Sequence, residues 1–174
     1  MTSDPVAVLF IAGRHAFAGT LEHSSSRVLD VLNGAGTEFL RIREASVFRG
    51  LQGASIGQFA EITVPKSSID CVILTGERHE APVQRKYALI EKESHAVFVL
   101  LESHELRGQV MFERSVDPIT MLNSGASKFF PVVNATVASA DHNARELSAK
   151  VAFVNKSKVA ALQIDERASS PRGL

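Results

Sequence analysis

Ala7 to Gly19 reads AVLFIAGRHAFAG, and 89 residues later Ala96 to Gly108 reads AVFVLLESHELRG. Ala, Val, His and Gly coincide, and the apolar run before the turn is kept. At an offset of 90, Val31 to Val47 (VLNGAGTEFLRIREASV) lies over Met121 to Val137 (MLNSGASKFFPVVNATV), sharing Leu-Asn, Phe, Ala and Val. Val64 to Leu74 (VPKSSIDCVIL) falls on Val154 to Ile164 (VNKSKVAALQI), again sharing Val, Lys and Ser. Three collinear blocks with a one-residue length change between them mark a tandem duplication of one module of roughly 70 to 80 residues. Modules that small sit near the lower size limit for a self-sufficient core, so the copies are expected to pack on each other or oligomerise.

Within a module the pattern is β. Val6 to Ile11 is an apolar run too short for a typical helix. Gly13-Arg14 is a turn signal, and Ala16 to Leu21 follows as the second arm of a hairpin. Ser24 to Ser26 are placed to cap a short helix through Val28, Leu29, Val31 and Leu32 that stops at Asn33-Gly34. In the second copy Asp117-Pro118 gives an N-cap with Pro in the first turn. Asn33 and Asn123 read as helix C-caps in the left-handed conformation. Phe39 to Phe48 alternates as a half-exposed strand with a bulge near Ala45. Phe59 to Val64 and Ile69 to Leu74 complete five strands. The expected fold is mainly β: two tandem, small, strongly bent five-stranded antiparallel barrels, each with a short helical insertion. Module 1 spans 1–76, a linker 77–94, module 2 spans 95–165 and a disordered tail 166–174. The linker segment from Lys86 to Ser94 has helical character.

Composition narrows the function. The 174 residues carry 19 Lys plus Arg against 19 Asp plus Glu. Each half is balanced as well, which disfavours a general nucleic-acid coat. The lone Cys71 excludes an internal disulfide and a Cys-cluster metal site. The N-terminus shows neither a signal peptide nor a membrane span, so a cytoplasmic protein without a membrane partner is expected.

The hairpin, the apolar Leu40 to Val47 strand and the turn Val64-Pro65-Lys66-Ser67-Ser68-Ile69, repeated as Val154-Asn155-Lys156-Ser157-Lys158-Val159, resemble the Sm and Sm-like family, including its bacterial form Hfq. The resemblance covers most of each module. It implies a small barrel, ring assembly and RNA binding through the basic turn. The chain departs from the family's pattern where the Ser24 to Thr37 insertion replaces the loop beside the base pocket. It departs again where Pro65 and Ser67, or Asn155 and Ser157, stand at the aromatic or His positions of the turn. A base pocket needs a stacking surface and edge-reading groups as well as a cation.

Lys66 and Lys156 in the matching turns, with Lys158, Arg41 and Arg43, form the candidate RNA or anion site. The competing account of each lysine is a solvated turn residue. The strand positions matching Arg41 and Arg43 are Pro131 and Val133, an asymmetry that suggests burial of the second copy's face in a contact. His15 and His104 match beside the first turn, but one His per hairpin fills no metal shell, so no metal and no cofactor is assigned. Gly34-Ala35-Gly36 lacks the Lys-Ser/Thr of a phosphate loop, and Cys71 reads as a buried structural thiol. No catalytic set assembles. The expected function is a non-enzymatic, ring-forming structural or protein-interaction module whose protein partner the sequence does not name. The alternative is an RNA-binding, chaperone-type protein. Unpaired strand edges favour homo-oligomerisation, with three chains closing a ring of six modules.

Overall fold

Each apolar run of the first copy becomes a strand. β1 (Val6–Ala12) and β2 (His15–Leu21) form a hairpin turned at Gly13, whose φ of 55° carries no penalty for glycine. A six-residue helix α1 (Val28–Asn33) precedes β3 (Phe39–Arg49). β4 (Ser55–Pro65) then runs into a 3₁₀ turn at Lys66–Ser68 and the short β5 (Cys71–Leu74). The second copy repeats this as β6 (Lys92–Leu100), β7 (His104–Glu113), α2 (Pro118–Asn123), β8 (Phe129–Ser139), β9 (Leu147–Asn155), a 3₁₀ turn at Lys156–Lys158 and β10 (Ala161–Ile164). The computed structural model describes residues 5–21, 27–51, 53–75, 92–113, 117–123, 125, 127–140 and 146–165.

All ten strands lie in one antiparallel sheet of order β10-β6-β7-β8-β9-β5-β1-β2-β3-β4. The expectation was two five-stranded barrels. The halves do share one internal order, but β5 pairs with β1 of its own half and with β9 of the other, so two five-stranded units become a single open sheet. Among the described residues, β4 and β10 are its edges. No helix among them is long and apolar enough to cross a membrane.

The halves bend at equivalent places. Arg43 pairs with Thr20 and Ser46 with Ala18, so Glu44 and Ala45 together face Gly19, and Glu44 takes a φ of 50°. Asn134, at φ 49°, makes the same bulge opposite Gly108. This is the bulge expected near Ala45. A Cβ on Gly19 would lie 2.6 Å from Ile42 Cγ2 and 2.8 Å from the Arg43 carbonyl oxygen; on Gly108 it would lie 2.5 Å from Val132 Cγ1 and 2.8 Å from the Val133 oxygen. Glycine is thus retained in both copies because the bulged strand folds onto its partner's backbone.

Several local expectations change. Ser24 to Ser26 lie outside the described residues, and α1 is preceded by Arg27 with no side-chain cap. Asp117 does cap α2, its Oδ2 accepting from Thr120 N at 2.7 Å and Thr120 Oγ1 at 2.8 Å. These bonds hold its carboxyl below the usual carboxylate range. Asn33 is not a left-handed C-cap. The cap is Gly34, in extended backbone at φ −61°, and the Asn33 amide is used elsewhere. β4 starts at Ser55 because the ladder to β3 continues past the bulge, and β5 starts only at Cys71 because the 3₁₀ turn occupies the residues before it. Lys92 to Ser94 are strand, not helix, being laddered to Met111, Phe112 and Glu113; the rest of the expected linker, 77–91, lies outside the described residues, as does the tail 166–174.

Gly19→Ala and Gly108→Ala are each expected to cost about 1–3 kcal/mol through overpacking against backbone that cannot rotate away. Urea denaturation of the two variants checks this, and a loss at one site only would show that the two bulges are not equivalent.

Candidate interaction site: the joint between the halves

The joint starts from ladder chemistry. Cys71 lies opposite Val154, Val72 opposite Phe153 and Ile73 opposite Ala152. Beyond this ladder Asn155 N donates to Asp70 O at 2.9 Å. The buried Asn155 side chain continues the joint. Its Nδ2 donates to Ile69 O at 2.8 Å and Lys66 O at 3.3 Å, while its Oδ1 accepts from Ser157 N at 3.1 Å and Ser157 Oγ at 2.8 Å. One amide therefore pins the 3₁₀ turn of the first half to that of the second.

A second amide works from the other direction. Phe129 begins β8 beyond the reach of β7, whose described pairing ends at Gln109↔Val133, so the Phe129 backbone needs partners from another element. Asn33 supplies both: Phe129 N donates to its Oδ1 at 2.8 Å and its Nδ2 donates to Phe129 O at 3.1 Å. The Phe129 side chain is 1% exposed and packs in the first half's core with Leu21, Val28 and Leu32. Phe153 joins the same cluster, whereas Ile11, Cys71 and Ile73 of the first half belong to the core of the second. Neither half completes its core alone. The Cys71 thiol is fully buried and its pKa is pushed far up by burial, as suits a small structural side chain.

The candidate cations separate. Lys66 is 3% exposed, and its Nζ donates to Val31 O at 2.6 Å and Gly34 O at 3.0 Å. It is neither a solvated turn lysine nor directed at solvent; it satisfies the carbonyl end of α1. Burial, aided by the nearby Lys128, lowers its pKa. Lys156 is half-buried and lines a cavity of about 280 Å³ with Asn33, Met111, Phe112 and Phe130. Lys158 is half-buried and acts electrostatically on Asp70. Arg41 and Arg43 are exposed on β3, as expected, with Arg43 Nε 3.8 Å from Glu61 Oε2. Pro131, at the position matching Arg41, is also exposed rather than buried in a contact, because it lies on the outer side of β8. The five candidates thus do not share one environment.

Spacing gave no sign of the Asp70 group. Asp70 is buried, and its Oδ2 accepts from Gly13 N at 2.7 Å, tying the first hairpin turn to the joint. Burial raises its pKa, against the opposing pull of the Gly13 bond, Lys158 and His104. His15 is exposed while its counterpart His104 is 1% exposed; both line a cavity of about 460 Å³ with Arg14, Arg49, Glu102 and Ser139. Among the described residues no group of three His, Cys, Asp or Glu side chains is placed to hold a metal ion. Comparison with protein-family models, curated proteins and solved structures finds no match to this chain.

The sign of the Asp70 effect follows from its raised folded pKa. The folded state binds the proton at higher pH than the unfolded state does, so stability from this group is lost as pH rises from its ordinary 3.8 through the raised value. Asp70→Asn keeps an acceptor for Gly13 and removes that loss. The stability of Asp70→Asn relative to wild type is therefore expected to rise with pH across this window and to level off above it. Urea unfolding at a series of pH values measures it, and a difference that falls with pH would contradict the assignment.

Proposed function

We propose that this chain is a non-enzymatic, Sm-like structural and protein-interaction module that works by strand-edge assembly. The observation carrying this reading is the in-chain joint: β5 of one half takes β9 of an equivalent half, and the sheet still offers the counterparts of both partners, β10 and β4, at its edges. The shared strand order, the bulge opposite Gly19 and Gly108, and the basic 3₁₀ turn support the Sm-like description of each half as a small bent barrel. A duplicated unit whose joint draws buried residues from both sides is built to hold things together.

The RNA-binding alternative has one observation in its favour: Lys156 lies beside Phe112, Phe130 and Met111 in the wall of a cavity at the joint, so a cation and apolar surfaces meet there. Against it stand the balanced charge of the chain and the consumption of the Lys66 ammonium by two carbonyls. The interaction-module reading expects no measurable affinity for U-rich or A-rich oligonucleotides at physiological salt in a fluorescence-polarisation titration. Tight binding that is weakened in Lys156→Ala, with the shallower salt dependence expected from one missing phosphate contact, would replace it with the RNA reading. Lys66→Ala is unsuited to this measurement, because it uncaps α1.

A further inference from the structure

Asn33-Gly34 is the one Asn-Gly pair in the sequence. Asn-Gly is the dipeptide most open to spontaneous deamidation, because glycine neither shields its own nitrogen nor restricts the backbone around it. The reaction requires the side-chain carbon Cγ of Asn33 to lie over Gly34 N. In the folded chain the Asn33 amide is turned elsewhere and held at both ends, Oδ1 accepting from Phe129 N at 2.8 Å and Nδ2 donating to Phe129 O at 3.1 Å. Gly34 is exposed and Asn33 half-buried, so water and base reach the attacking nitrogen. What restrains the step is the orientation of the amide.

That orientation is tied to the joint between the halves. Turning Cγ toward Gly34 N breaks both bonds and leaves the Phe129 N–H and carbonyl without partners, on the side of β8 where the described β7 pairing ends at Gln109↔Val133. Phe129 cannot follow the amide, because its side chain is 1% exposed among Leu21, Val28 and Leu32 of the first half. On the other side of the reacting pair, Lys66 Nζ donates to Val31 O and Gly34 O and fixes the chain on either side of Asn33. The matching Asn123 is exposed and is followed by Ser124, so fast chemistry and a structural lock coincide in one copy alone.

We propose that Asn33 is a deamidation site gated by the joint: while the halves are closed it is protected, and once they open it converts to a form that no longer closes them. The proposal rests on the geometry of the joint and goes beyond the function proposed above. The step needs water alone. Gly34 N gives up its proton and bonds to Asn33 Cγ, the bond from Cγ to Nδ2 breaks, and ammonia leaves with that proton. Water then opens the resulting five-membered imide at one of its two carbonyls, giving an aspartyl or an isoaspartyl residue. In the aspartyl product the ionised carboxylate still accepts from Phe129 N but has no proton to give Phe129 O, and sets a negative oxygen against that carbonyl. In the isoaspartyl product the main chain runs through Cγ and is one carbon longer, so the end of α1 no longer presents the side chain at the same reach.

Peptide mapping by mass spectrometry, with the aspartyl and isoaspartyl forms separated, reads the conversion of the full chain at mildly alkaline pH. A synthetic peptide of residues 29–37 in the same buffer gives the unprotected rate. Conversion at Asn33 in the folded chain is expected to be slower than in the peptide by about tenfold or more, and to rise with urea below the global unfolding transition as the joint opens locally. Asn155→Ala, which loosens the other end of the joint without touching Asn33, is expected to speed conversion several-fold in native buffer. If that variant does not fold, the urea series on the wild-type chain reads the same opening. Asn33→Asp, standing for the aspartyl product, is expected to unfold at lower urea than wild type. Conversion of the folded chain at the peptide's rate would overturn the gate, as would a slow rate indifferent both to urea and to a folded Asn155→Ala. An Asn33→Asp chain as stable as wild type would overturn the one-way lock.

Discussion

A four-residue strand that belongs to two halves at once is the constraint on which the rest depends. β5 is buried along Cys71, Val72 and Ile73 because β1 ladders one side of it and β9 the other. Its side chains alternate between cores: Cys71 and Ile73 face the second half's cluster and Val72 the first's. A strand this short gives little on its own. What stabilises it is the pair of asparagine amides around it, Asn155 closing the end of the ladder and Asn33 closing the open backbone of Phe129. Leaving either backbone group without a partner in a buried joint would cost about 1–3 kcal/mol.

Once one pair of faces is locked inside the chain and the other pair faces outward, the duplicated residues live under different rules. Asn155 belongs to the buried joint and its counterpart Pro65 to an edge strand, where proline is tolerated and a missing donor discourages indiscriminate pairing. Glu61 and Arg43, 3.8 Å apart on the outer pair of strands, charge that same edge. Phe153, buried in the joint, is matched by the exposed Thr63. The outer edge thus combines the proline and the charged pair with exposed apolar side chains, Ile56 and Phe59 on β4 and Phe39 on the neighbouring β3.

Much of this architecture was legible in the residues, and the reasons can be named. Strands, helices and turns follow from local patterns that both copies repeat, such as the apolar run before Gly13 and the Asp117-Pro118 start of α2. The joint was not legible, because it is written in single polar side chains whose partners lie far away. Asn33 and Phe129 are 96 residues apart, and nothing near Asn33 distinguishes a backbone clamp from a helix cap. Lys66 misleads for the same reason: in sequence it is a cation in a turn, and only the return of α1 over that turn brings two carbonyls to its ammonium. A duplication does offer one signal that local pattern lacks. Where the copies keep a polar residue in place, as at Asn33 and Asn123, a repeated contact is expected. Where they diverge, as at Asp70 and Ala160, one copy has a partner that the other does not.

That divergence also bears on why the duplication is useful. A chain with one half could form only one kind of joint, so the bonds strong enough to complete the small cores would also be the bonds that hold copies together. Fusion separates the two demands. The internal joint takes the buried amide of Asn155, the buried carboxyl of Asp70 and the shared cores, and its effective concentration is set by the covalent link rather than by the amount of protein. At the matching outer positions stand Pro65 and Ala160, which bring neither the amide nor the carboxyl. Folding depends on the internal joint, so a change at Asn155 or Phe129 reaches the shared core, whereas Phe39 and Asn123 are exposed and lie outside it.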